Sequence, residues 1–76
     1  MKKIIQVKIY EGEKYYVAEC VDLPVVTQGQ SLDEVVANIK EAIDLHLEGE
    51  SLEEWDILPD FSILANFELE PIHARA

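Results

Sequence analysis

The chain has 76 residues, 16 acidic and 6 basic side chains and a formal net charge of −10. That length holds one two-layer domain, with no room for a substrate domain beside a cofactor domain. Hydrophobic residues make up 49% of it, too many for an acidic disordered tail. The negative charge disfavours phosphate backbones and anionic membranes and favours a basic protein partner. Cys20 is the single cysteine, which excludes an internal disulfide and fits the reducing cytoplasm. The basic start is interrupted by Gln6 and Lys8 and is no signal peptide. No stretch nears the roughly 20 apolar residues of a membrane span. A domain this small buries only about 60% of its unfolded surface, so subunit contacts are a natural reinforcement.

Residues 2–11 alternate. Ile5, Val7 and Ile9 share one face, and Ile4, Gln6, Lys8 and Tyr10 the other, which predicts a strand buried on one side. Glu11-Gly12-Glu13 supplies a turn, with glycine free to take positive φ. Residues 14–20 form a second strand, its uncharged set Tyr16, Ala18 and Cys20 facing the core. Asp22-Leu23-Pro24 breaks the pattern, and residues 25–28 read as a short third strand.

The clearest element is a helix over 31–48. Ser31 and Glu34 make a capping box, and Gly49 sits where a left-handed residue ends a helix. Leu32, Val35, Val36, Ile39, Ala42, Ile43 and Leu47 are three and four apart, one apolar stripe. Asp33, Glu34, Asn38, Glu41 and Asp44 form the opposite face. Residues 50–60 read as a turn or a short helical piece, capped by Ser51 toward Glu54. Residues 61–70 alternate again: Ile63, Ala65, Phe67 and Leu69 point in, Leu64, Asn66, Glu68 and Glu70 point out, and Pro71 ends the strand.

The expected class is α+β, with element order β-β-β-α-β. Two short turns make an antiparallel meander, and the helix is a right-handed crossover into the fourth strand. The first strand suits a central position, giving a mostly antiparallel sheet of order 3-2-1-4, the last strand parallel to the first and the helix on one face. The other face, with Ile4, Lys8, Tyr10, Tyr15, Val17, Glu19 and Leu64, is left open. It is either an ordinary solvated face or a contact surface rich in tyrosine.

A short family pattern runs through these elements. It comprises Tyr15-Tyr16-Val17-Ala18, Val21-Asp22-Leu23-Pro24, Thr27-Gln28-Gly29, Ser31-Leu32-Asp33-Glu34-Val35 and Asn38-Ile39-Lys40-Glu41-Ala42-Ile43. In order and spacing it resembles the HicB-like antitoxins over residues 4–48. Val25 stands where the family usually has glycine, and Gln30 where an acidic residue is common. The resemblance implies a partial ribonuclease-H-like fold of the same element order. It also implies an antitoxin that neutralises a small basic HicA-like toxin, an RNA-cleaving protein. Many members carry a DNA-binding domain after this unit. The sequence ends at Ala76, so the expectation is the short form, one domain over 1–76.

No catalytic chemistry is expected. Ribonuclease-H nucleases hold two magnesium ions with converging carboxylates, one inside the first strand. That strand offers no carboxylate before Glu11. His46 and His73 have no spaced partner, Cys20 reads as a small buried residue, and no metal or cofactor site is expected. Trp55 reads as packing rather than as a ligand platform. The candidate partner contacts are Tyr10, Tyr15 and Glu19 on the open face and Asp22, Asp33 and Glu34 at the rim. Homodimers or higher oligomers are expected, through the uncharged third-strand edge at Val25 and Val26. The alternatives are a small metal-dependent ribonuclease-H-like nuclease and a generic oligomerising domain.

Overall fold

A computed structural model describes residues 1–69 of the chain. Pro71, His73 and the position of Glu70, for which expectations are given above, lie outside the described residues. The elements are β1 (Lys2–Glu11), β2 (Tyr16–Cys20), β3 (Val26–Gly29), α1 (Leu32–Leu47), a 3-10 turn (Leu52–Trp55) and β4 (Ile57–Phe67). The sheet order is β3-β2-β1-β4, with β1 antiparallel to β2, β2 antiparallel to β3 and β4 parallel to β1. This is the expected α+β arrangement. Among the described residues no helix is long and apolar enough to cross a membrane.

Alternation in β1 is realised in full: Ile5 and Val7 are completely buried and Ile9 nearly so. Ala18 of β2, Leu23, Val25, Ile57 and the helix residues Val35, Ile39 and Ile43 complete the core. The β1–β2 turn is closed by the Gly12 N–H donating to the Tyr15 carbonyl, 2.7 Å. Gly12 does not use positive φ, contrary to expectation. A Cβ there would sit 3.0 Å from the Tyr15 oxygen, so close approach is what favours glycine. β2 therefore starts two residues later than the tyrosine-rich run suggests.

The helix ends follow the sequence closely. Ser31 is the N-cap, its Oγ accepting the Glu34 N–H at 3.1 Å. The Glu34 carboxylate reaches back to the Gln30 N–H, 2.9 Å, one residue before the cap. Gly49, φ 79°, follows Glu48 in the left-handed conformation that ends the helix. The apolar stripe is narrower than its spacing suggests, since Leu32 and Val36 are exposed. Asn38 leaves the solvated face expected of it and donates to the Gln28 carbonyl of β3, 2.9 Å.

The largest departure is in β4. It begins at Ile57, four residues earlier than expected, directly after Asp56 turns the chain with φ 58°. Ser51 caps the short turn through its backbone carbonyl only. Pairing with β1 is interrupted between Lys2 and Ile4 and resumes in register from Ser62 to Phe67. Pro59 lies in the interrupted stretch, which explains why alternation is unreadable there. Of the expected inner face, Ile63 and Phe67 are half-buried, while Ala65 and Leu69 are exposed. The helix lies nearest β3 and β2, and a groove lies between it and Phe61, Ile63 and Ala65 of β4.

Candidate functional site

Chain direction gathers one end of the molecule. β1 and β3 finish there, β2 and α1 start there, and β4 finishes beside β1. That end carries Glu11 and Glu13 at the hairpin, Asp33 and Glu34 in the first helical turn and Glu68 after β4. Tyr10 and Tyr16 stand there with Glu11 and Glu68, and Tyr15 stands with Glu13 at the hairpin. A crevice of about 160 Å³ is lined there by Tyr10, Glu11, Tyr16, Phe67, Glu68 and Leu69. Phe67 meets Tyr16 edge to face with ring centres 5.8 Å apart. Glu11, Glu13 and Glu68 were not singled out from sequence. They are 57 residues apart at the extremes, and only the parallel β1–β4 pairing brings them together.

Tyr10 and Glu19 do meet. The Tyr10 hydroxyl donates to the Glu19 carboxylate at 2.9 Å across β1 and β2, and Lys8 Nζ lies 5.8 Å from the Tyr10 ring centre. That hydrogen bond to a carboxylate holds the phenol above its ordinary pKa, with further raising from burial and from the charges of Glu19 and Glu68. Tyr15 is exposed at the hairpin, where it can reach a partner.

Asp22 has a different place. Its carboxylate accepts the Gln6 N–H at 2.9 Å and pairs with Lys2 at 3.0 Å, with the side chain only 14% exposed. Val21 N–H donating to Gln6 O is the last bond from the β2 side, and the Asp22 side chain takes the Gln6 N–H left over. The Gln6 N–H, then Lys2, draws the Asp22 pKa below its ordinary value. Asp22 is thus engaged inside the fold and is not free at the rim. Val25 is buried and precedes β3, so of the two expected edge residues Val26 alone is exposed.

Trp55 packs beside the core, donates from Nε1 to Glu50 at 2.6 Å and meets the His46 ring edge on at 5.2 Å between centres. Both residues fasten the 3-10 turn to the helix end. Among the described residues no three His, Cys, Asp or Glu side chains converge as metal ligands would. What the acidic end can do chemically is pair with Lys and Arg of a partner while the tyrosines give it apolar contact area. Searches against protein-family models, curated proteins and solved structures found no match.

Proposed function

We propose that the chain is a HicB-like antitoxin of the cytoplasm that binds a small basic, HicA-like RNA-cleaving toxin and covers its RNA-binding surface. The observation that carries this is the acidic end of the molecule, where Glu11 and Glu68 line a crevice with Tyr10 and Tyr16 and where the hairpin and the first helical turn add Glu13, Asp33 and Glu34. A surface that binds RNA is basic, and an occluding protein must offer what RNA offers: negative charge with flat rings to stack or pack. The β-β-β-α-β order agrees with the fold that the family resemblance implies.

The test is co-expression with the small basic protein encoded beside this chain. Rescue of growth and co-purification are expected. A neighbour that is harmless, or that fails to associate, overturns the proposal. Charge reversal by Glu11→Lys with Glu13→Lys should slow association about tenfold at low salt and far less at high salt. Cleavage of an RNA–DNA hybrid with magnesium, lost in Glu19→Gln or Asp60→Asn, would instead establish the nuclease alternative.

A further inference from the structure

Among the described residues both outer strands of the sheet have a free side, but they are not equally open. β3 is four residues long, and short edges resist pairing. The Cys20 N–H bonds the Val25 carbonyl, so by alternation the backbone groups of Val26 and Gln28 point away from β2. The Gln28 carbonyl is already taken by Asn38 of the helix. The β3 edge is therefore partly covered from within the chain.

β4 has eleven residues and a single charge, Asp60, in a chain of net charge −10. Natural edges are guarded by charges, prolines and bulges. Here Pro59, Asp60 and the interrupted register guard the first half only. The Glu68 N–H donates to Ile9 O at 2.8 Å, so the groups of Ile63, Ala65 and Phe67 alternate to the outer edge. Beside this edge runs an apolar groove of about 410 Å³, lined by Val36, Ile39 and Lys40 of the helix and Phe61, Ile63 and Ala65 of β4.

We propose that a second copy of this chain pairs antiparallel along Ser62–Glu68, about a two-fold axis at Ala65, making one eight-stranded sheet. The register is self-complementary. Ala65 faces its own copy, Ile63 faces Phe67, and Phe61 faces Leu69, so the helix side of the seam is wholly apolar. On the open face Leu64 meets Asn66 and Ser62 meets Glu68. No like charges are opposed between residues 61 and 69, although the two molecules repel elsewhere. Small Ala65 at the axis allows the close approach that a two-fold strand pair requires. The partner's Phe67 closes the side of the groove that the helix leaves open. The seam shares Phe67, Glu68 and Leu69 with the crevice of the acidic end, yet dimerisation of the chain alone needs no toxin.

Sedimentation of the full chain tests it. A species of twice 8.7 kDa is expected at high micromolar concentration. The amides of Ile63, Ala65 and Phe67 should exchange slowly in the dimer and faster on dilution. Ala65→Lys opposes two ammonium groups at the axis and should weaken dimerisation more than about tenfold, whereas Val26→Lys should leave it unchanged. Ala65 is exposed, so the Trp55 fluorescence of the variant should stay native. A monomeric wild-type chain overturns the proposal. So does a dimer broken by Val26→Lys and not by Ala65→Lys, or protection of the β4 amides only when a basic protein is added.

Discussion

Replacing Gly29 by alanine should be among the most damaging small changes this fold can receive. Gly29 ends β3 and lies under the first turn of α1. A Cβ built there would stand 2.6 Å from the Val35 nitrogen, 2.9 Å from Val35 Cα and 3.0 Å from the Glu34 carbonyl carbon. Ordinary contact starts at 3.4 Å, so the helix start must lift by nearly an ångström. All three obstacles are backbone, so no side-chain rotation relieves them. Lifting the turn also draws Val35, which is fully buried, out of its seat.

Overpacking of this kind costs about 1–3 kcal/mol, and the upper half of that range is expected because the obstruction is rigid. At roughly 0.05–0.15 kcal/mol per residue, a domain of this length has about 4–11 kcal/mol to lose from. Urea unfolding followed by Trp55 fluorescence is the assay. With a slope of about 1 kcal/mol per molar for so small a domain, the midpoint should fall by about 2 M. Gly49→Ala is the control for backbone conformation alone: its Cβ meets nothing within 4 Å, but φ is 79°. It should cost about 1–2 kcal/mol, and Gly49→Asn less. A Gly29→Ala midpoint no lower than that of Gly49→Ala would refute the close-approach argument.

Three further outcomes follow from the same structure. Asp22→Asn should cost about 1.5–3 kcal/mol at neutral pH, because it removes the charge from a hydrogen bond to Gln6 and a pair with Lys2. The Asp22 pKa is depressed in the folded state, so its stabilisation is complete above the ordinary carboxyl pKa and is lost as pH falls through the depressed value. Acid unfolding of the wild type should show this loss, and that of Asp22→Asn should not. Ile43→Ala, at a fully buried position, should cost about 2–5 kcal/mol, whereas Leu45→Ala, two residues away and 61% exposed, should stay within about 0.5 kcal/mol in the same urea titration. Glu19→Gln should bring the Tyr10 phenol down toward its ordinary pKa, as read by ultraviolet or NMR titration, since the Glu19 carboxylate is the first cause of its elevation. An unchanged Tyr10 titration would deny that bond in solution.

The parts of the fold legible in the sequence are those specified by neighbours in the chain. Ile5, Val7 and Ile9 announce β1 by alternation, and Ser31, Glu34 and Gly49 mark both ends of α1 with local capping chemistry. The parts that were not legible depend on partners far along the chain. Pro59 and Asp60 masked the start of β4, because that stretch is held by the Lys2 N–H to Asp56 O bond and by burial of Ile57 rather than by its own pattern. Asn38 carries a polar side chain among acidic ones, and nothing local indicates that it bonds Gln28. Asp22 looks like a rim carboxylate until β2 is seen to stop at Cys20, which frees the Gln6 N–H it accepts. At the acidic end, Tyr10 and Glu19 were readable as neighbours on one face, but Glu68 joins them only through the parallel pairing of β1 with β4.

The uncovered inner face of β4 follows from dimensions. Strands lie about 4.8 Å apart, so four of them span about 14 Å between the outer axes. A helix with its side chains is about 10 Å wide and covers two to three strands. One strand of a four-stranded sheet with a single helix must therefore stay open, and the link between β3 and α1 decides which. Only Gln30 and Ser31 separate Gly29 from the helix, and the missing Cβ of Gly29 lets the helix start rest directly on β3. Asn38 fastens the next turn to the same strand. With α1 anchored at the β3 side, the second half of β4 is the part of the sheet left partly open. Ile63 and Phe67 stay half-exposed although their alternation marks them as core residues. Moving the helix toward β4 would lift its start off Gly29 and break the Asn38 bond. Among the described residues the inner face of β4 from Ile63 onward is therefore covered only in part, at the strand with the longest unguarded edge.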